Sequence, residues 1–143
     1  MTQHYETHSE KETEALGREF AASLQGGETV ALYGDLGAGK TAFTRGAMRA
    51  LGYDGEITSP TFAIVNEYRG GRLDAAHFDM YRIQDEDGLY STGFYDYLDG
   101  RMVLFIEWSE NIPWALDGSE IAVHISGSAA QPRSISIERG EVL

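Results

Sequence analysis

The sequence contains no cysteine. Disulfides, thiolate metal sites and cysteine nucleophiles are therefore excluded, and the usage fits a cytoplasmic protein. Basic residues are scarce too. Eleven lysines and arginines stand against 23 aspartates and glutamates, a net charge of −12 in 143 residues. A chain this acidic gains little from releasing phosphate counterions, so it is not expected to grip nucleic acid over a broad face, and any such role would run through a partner. No apolar run is long enough to span a bilayer, and the N-terminus lacks a basic region followed by an apolar one. No membrane association is expected. Internal repeats, low-complexity tracts and linkers are also missing. What remains is the composition of an ordinary globular protein, 42% hydrophobic and 24% charged, at a length that suits one domain over residues 1–143 with a real core.

One stretch organises the chain. Gly34-Asp35-Leu36-Gly37-Ala38-Gly39-Lys40-Thr41 fits G-x-x-x-x-G-K-[ST], the phosphate loop of nucleoside-triphosphate-binding proteins. Glycines let the backbone turn tightly and aim successive N–H groups into one anion-binding concavity. The following helix adds the positive end of its dipole. Lys40 brings a point charge to the outer phosphates, and the Thr41 hydroxyl suits magnesium. The context agrees with the motif. Thr29 to Tyr33 reads as a buried strand just before the loop. Thr41 to Leu51 reads as a helix just after it, with Phe43, Ala47 and Leu51 on one face and Gly52 as its stop.

Residues 1–8 read as a frayed, flexible terminus. His4 and His8 are spaced to share a helical face, but no third metal ligand is apparent. Ser9-Glu10-Lys11-Glu12 is a capping-box pattern opening a helix with Leu16, Phe20 and Leu24 on one side, closed by Gly26-Gly27. Ile57-Thr58-Ser59-Pro60-Thr61 reads as an ordered loop able to place a hydroxyl near a γ-phosphate or magnesium. Phe62 to Tyr68 and Leu73 to Phe78 read as a hairpin turned at Gly70-Gly71. Asp79, at the end of the returning strand, suits magnesium, water or substrate positioning, or a structural pair with Arg82. Gln84 to Leu98 suggests helical segments interrupted near Gly93. Met102 to Ile106 is a continuous apolar run of the buried parallel kind, ending in Glu107. A carboxylate at that end of a strand sits where doubly wound sheets place their ligands, and it resembles the acid that holds magnesium in phosphate-loop enzymes. Glu120 to Ser126 and Arg133 to Glu138 alternate as a terminal antiparallel pair.

The ordered blocks Thr44-Arg45-Gly46, Thr58-Ser59-Pro60-Thr61-Phe62, Val65-Asn66-Glu67-Tyr68, His77-Phe78-Asp79-Met80-Tyr81-Arg82 and Ile106-Glu107-Trp108-Ser109-Glu110, together with the phosphate loop, closely resemble the TsaE family over nearly the whole chain. The resemblance implies an α/β, P-loop NTPase-like single domain: a mixed, mainly parallel central sheet flanked by helices, with a hairpin and a C-terminal antiparallel pair. It implies an ATPase that uses ATP and Mg2+ and drives the cycle of a TsaB–TsaD complex, in which the TsaD-type protein transfers threonylcarbamoyl to an adenosine of tRNA. The tRNA is then met only through that complex. Carried over by motif, Asp35, Leu36, Gly37, Ala38, Gly39, Lys40 and Thr41 would hold the phosphates. Thr41 and Glu107 would ligate magnesium, Asp79 would serve hydrolysis, and Glu10 and Arg133 would contact the nucleotide. Two positions depart from the family's pattern: Ala42 stands where a second threonine is frequent, and Ser109 where proline is common. The residues also admit a small-molecule kinase using Asp79 and Arg82, or an assembly module that reads bound ATP with little turnover.

Overall fold

A computed structural model describes residues 2–34, 39–58, 60, 64–127 and 132–139. Seven strands form one sheet: β1 (Thr2–Thr7), β2 (Thr29–Tyr33), β3 (Val65–Tyr68), β4 (Ala75–Asp79), β5 (Val103–Glu107), β6 (Ile121–Ser126) and β7 (Arg133–Arg139), in the order β1-β7-β6-β2-β5-β4-β3. The four central strands β6, β2, β5 and β4 are parallel. The hairpin partner β3, and β7 and β1 at the other side, run antiparallel to their neighbours. Parallel centre, hairpin and terminal pair match the expectation.

Helices α1 (Glu10–Ala21) and α2 (Lys40–Ala50) cover one face of the sheet. Their Phe20, Phe43, Ala47 and Met48 pack with Val30, Leu32, Phe105 and Val123 in one continuous core. The other face is covered by α3 (Glu86–Ser91), the 3-10 turn Phe94–Tyr97 and the chain after β5, with Phe78, Leu89, Phe94, Leu104 and Ile106 inside. Gly93, at φ 79°, is the left-handed joint between α3 and that turn, where the sequence placed its interruption. Ser9 caps α1 as expected, its side chain accepting from the Glu12 N–H, but Glu12 answers to the His8 N–H and not to that of Ser9.

Two expectations are corrected. Residues Thr2–Thr7 are not a frayed terminus but a strand, paired with β7 from Thr2↔Glu138 to Thr7↔Arg133. Accordingly His4 lies on a strand and shares no helical face with His8. Helix α1 closes at Ala21, before the Gly26-Gly27 pair. Those glycines serve a close crossing instead: a Cβ at Gly27 would stand 2.6 Å from the Gly100 carbonyl oxygen, and Gly27 N–H donates to the Met102 carbonyl. Among the described residues no helix is long and apolar enough to cross a membrane.

Candidate functional site

Parallel pairing brings the C-terminal ends of β2, β5 and β4 to one edge of the sheet. Tyr33 ends β2 just before Gly34, and α2 begins at Lys40 just after Gly39. Register sets Asp79 opposite Glu107. Side chains on a strand repeat every second residue, so His77 shares the face of Asp79 and Glu107, the face that α2 covers.

Four polar side chains are buried there: Lys40, His77, Asp79 and Glu107. Lys40 Nζ lies 3.9 Å from Glu107 Oε1 and 5.1 Å from the centre of the Trp108 ring. His77 Nε2 lies 2.7 Å from Glu107 Oε2. Asp79 Oδ1 accepts the Tyr81 N–H at 2.9 Å. Burial holds the Asp79 carboxyl above its ordinary range; that backbone hydrogen bond opposes the rise and the nearby Glu107 charge adds to it. Buried carboxylates this close together are costly, and one ammonium offsets them only in part. Such clusters mark sites built for chemistry or for a ligand.

The backbone around the two acids is strained. Only two non-glycine residues among those described have positive φ: Trp108 at 61° and Ile64 at 69°. A β-branched residue there is a true outlier, and each such residue costs on the order of 1–3 kcal/mol. Both are tied to the acids. Trp108 follows Glu107 directly. Ile64 accepts the Asp79 N–H through its carbonyl and donates its own N–H to the Pro60 carbonyl, both at 2.9 Å. Met80 N–H donates to the Glu107 carbonyl at 3.0 Å. The turn after Glu107 is held by Ser109, whose buried hydroxyl donates to the Ile106 carbonyl at 2.9 Å, a bond that proline at this position has no donor to make.

Lys40, Asp79 and Glu107 are thus brought together. Thr41 is half-buried in the first turn of α2. Arg133 joins the group from β7: a Cβ on Gly39 would meet its Cδ and Nε at 3.1 Å and Thr13 Cγ2 at 3.4 Å. Gly39 of the phosphate-loop motif therefore stands between Thr13 of α1 and Arg133 of β7. Glu10 turns elsewhere, its carboxylate 3.0 Å from Arg45 Nη1 on α2. Asp35, Leu36, Gly37, Ala38, Ser59 and Thr61 lie outside the described residues.

Residues 7–135 match the family described as "Threonylcarbamoyl adenosine biosynthesis protein TsaE". The chain belongs to the TsaE family. It is 36% identical over 132 residues to the "tRNA threonylcarbamoyladenosine biosynthesis protein TsaE" of Bacillus subtilis strain 168, an alignment covering 92% of this chain and 82% of that one. The protein of the same name from Rickettsia typhi is 38% identical over 136 residues, 94% of either chain. In structure, the chain is similar to the crystal structure of YdiB from Bacillus subtilis, with a TM-score of 0.80 and 31% identity over 99% of this chain and 87% of that one. The TsaE membership agrees with the α/β phosphate-loop fold described above.

Sequence reasoning gave His77 no role. The signal was present in the two-residue step from His77 to Asp79 on a single strand, which puts an imidazole on the face of the acids.

Proposed function

We propose that this TsaE-family chain is the ATP-hydrolysing subunit for threonylcarbamoyladenosine modification of tRNA, and that its turnover drives the cycle of a TsaB–TsaD-type transferase. One observation carries the reading: a lysine at the start of the helix after a phosphate-loop motif is buried against Glu107, which ends one parallel strand in register with Asp79 at the end of the next. Lys40 then supplies the charge that offsets the outer phosphates. Asp79, held above its ordinary carboxylate range by burial, is suited to accept a hydrogen bond from a water attacking the γ-phosphorus. That attack forms one P–O bond and breaks the bond to the bridging oxygen; the water's proton passes to Asp79, and ADP and phosphate result. Thr13 of α1 and Arg133 of β7 flank Gly39 beside Lys40.

The donors fit magnesium. Glu107 and Thr41 offer hard oxygens, and no group of three or more metal-ligating His, Asp or Glu exists among the described residues. Magnesium suits such a sparse set, since it keeps waters and takes phosphate oxygens beside one or two protein ligands. Bound there, it would neutralise developing phosphate charge.

The test is phosphate release by the chain alone, with TsaB- and TsaD-type proteins, and with tRNA added. Slow release by the isolated chain, stimulated by the partners, supports the reading. Tight ATP binding without release in any mixture would make it an assembly module, and a labelled acceptor would make it a kinase.

A further inference from the structure

His77 plays no part in the scheme above, yet it is fully buried. On its own strand the same face carries Ala75 on one side and Asp79 on the other; Ala75 and the register partner Phe105 both belong to the apolar core. A hydrocarbon side chain would suit that setting better, because a buried imidazole costs free energy unless its nitrogens find partners. One nitrogen does: Nε2 meets Glu107 Oε2 at 2.7 Å. The other, Nδ1, is buried with no hydrogen-bond partner among the described residues. An ionised carboxylate only accepts, so Nε2 must donate. Neutral imidazole has a single donor, which leaves Nδ1 with a lone pair and no stranded N–H. The two oxygens of Glu107 are thereby divided. Oε2 is taken by His77, and Oε1 faces Lys40.

We propose that His77 is a positioning residue: its Nε2–H locks the Glu107 carboxylate so that Oε1 is the oxygen presented to magnesium. The proposal rests on the nucleotide reading above. Partners of this kind orient metal-ligating groups and set their basicity, and losing one typically costs 10–100-fold in metal affinity.

Two measurements test it. Long-range 1H–15N spectra of the wild-type chain read ring tautomers directly. His4, His8 and His124 are exposed, so the buried ring stands apart, and His77→Gln identifies its signals. A ring protonated at Nε2 and bare at Nδ1 is expected; the opposite tautomer overturns the proposal. The second measurement is a magnesium titration of a fluorescent ADP analogue, followed by anisotropy. His77→Phe should raise the magnesium midpoint about tenfold while leaving affinity in EDTA unchanged, and His77→Gln, which keeps an N–H donor, should recover most of the loss. A residue that merely fills the core would weaken binding equally in both conditions and would not separate Gln from Phe. If His77→Phe fails to fold, the tautomer and the Gln variant decide. An unchanged midpoint in a folded His77→Phe protein overturns the proposal and leaves the nucleotide reading intact. Wild-type protein that binds no magnesium nucleotide overturns both.

Discussion

Lys40 and Glu107 face each other 3.9 Å apart with almost no access to solvent. Each therefore depends on the other, or on a ligand that replaces it. Lys40→Ala should lower ATP turnover about a hundredfold or more, the scale of removing one preorganised charge from a reacting group. Calorimetry with a non-hydrolysable analogue and a phosphate-release assay together check this, and near wild-type values in both would sink the nucleotide site. Glu107 and Asp79 should separate. Glu107→Gln keeps shape and removes charge, so magnesium-dependent binding and turnover fall together. Asp79→Asn should spare magnesium-dependent binding and reduce turnover by about 10²–10⁴-fold, as for a lost general base. Magnesium titrations of both variants assign the ligand, and loss of metal dependence in the Asp79 variant alone reverses the roles. Asp79 also predicts a pH effect. Its folded carboxyl holds its proton above the ordinary 3.8, so the folded state favours the protonated form. That contribution is fully present below 3.8 and is lost as pH rises through the raised value. Asparagine cannot ionise and keeps an oxygen for the Tyr81 N–H. Asp79→Asn should therefore gain in melting temperature over wild type as pH rises from 4 to 7, in thermal scans at both values. Much of this site was legible. The phosphate-loop spacing marked Lys40 and Thr41, and an apolar run ending in an acid marked Glu107. His77 was legible only in part: its two-residue step to Asp79 puts it on the face of the acids, but its partner Glu107 lies across on β5, a contact that local spacing does not encode.

Helices α1 and α2 cross closely, and two glycines permit it. A Cβ on Gly46 would stand 1.8 Å from the Glu14 carbonyl oxygen, and one on Gly17 would stand 2.0 Å from that of Phe43. Backbone cannot yield as a side-chain tip does, so the helices would have to part. The separation would loosen the tilted Phe20–Phe43 ring pair, now 5.3 Å between centres, and the ion pairs of Arg45 with Glu10 and Glu14. Gly46→Ala should cost about 1–3 kcal/mol, the scale of overpacking. In a domain of this size each kcal/mol lowers the melting temperature by about 2–4 °C. Circular dichroism melts check this against Gly55→Ala, where an added Cβ meets nothing within 4 Å. A Gly46 variant that melts with the control would mean the helices have slack. Because α2 also carries Lys40, the same variant should weaken nucleotide binding. These two helices were legible from Ser9, from apolar spacing and from Gly52, all local signals. Strand β1 was not. Thr2–Thr7 offers the core little beyond the partly buried Tyr5, and its pairing with β7 joins opposite ends of the chain. The hydrogen-bond ladder to β7 makes it a strand, and propensity alone could not reveal that.

For the molecule as a whole, charge is the property that bears most on tRNA. Eleven basic residues against 23 acidic ones leave −12. Several of those cations already have partners within the chain. Lys40 is buried against Glu107, and Arg45 is paired with Glu10 and Glu14. Arg69 is paired with Glu67 and Asp74, and Arg72 donates to the Leu24 and Ala21 carbonyls. Each phosphate contact normally releases counterions, and a protein making 6–10 of them loses about 10³–10⁵ in affinity between 50 and 200 mM salt. A surface with so few uncommitted cations has little to release. The isolated chain should therefore bind tRNA weakly at physiological salt, with a shallow salt dependence, although the family it belongs to serves tRNA modification. Fluorescence anisotropy with labelled tRNA across 50–200 mM salt measures both quantities. Tight binding with a steep negative slope would show that a local basic stripe overrides the net charge. The expected result has a mechanistic consequence. If tRNA is held by TsaB- and TsaD-type partners, ATP turnover here reaches the RNA only through contacts between proteins. Adding the partners should then restore tRNA association, and Lys40→Ala, expected to lower turnover, should leave the tRNA affinity of the isolated chain as weak as before.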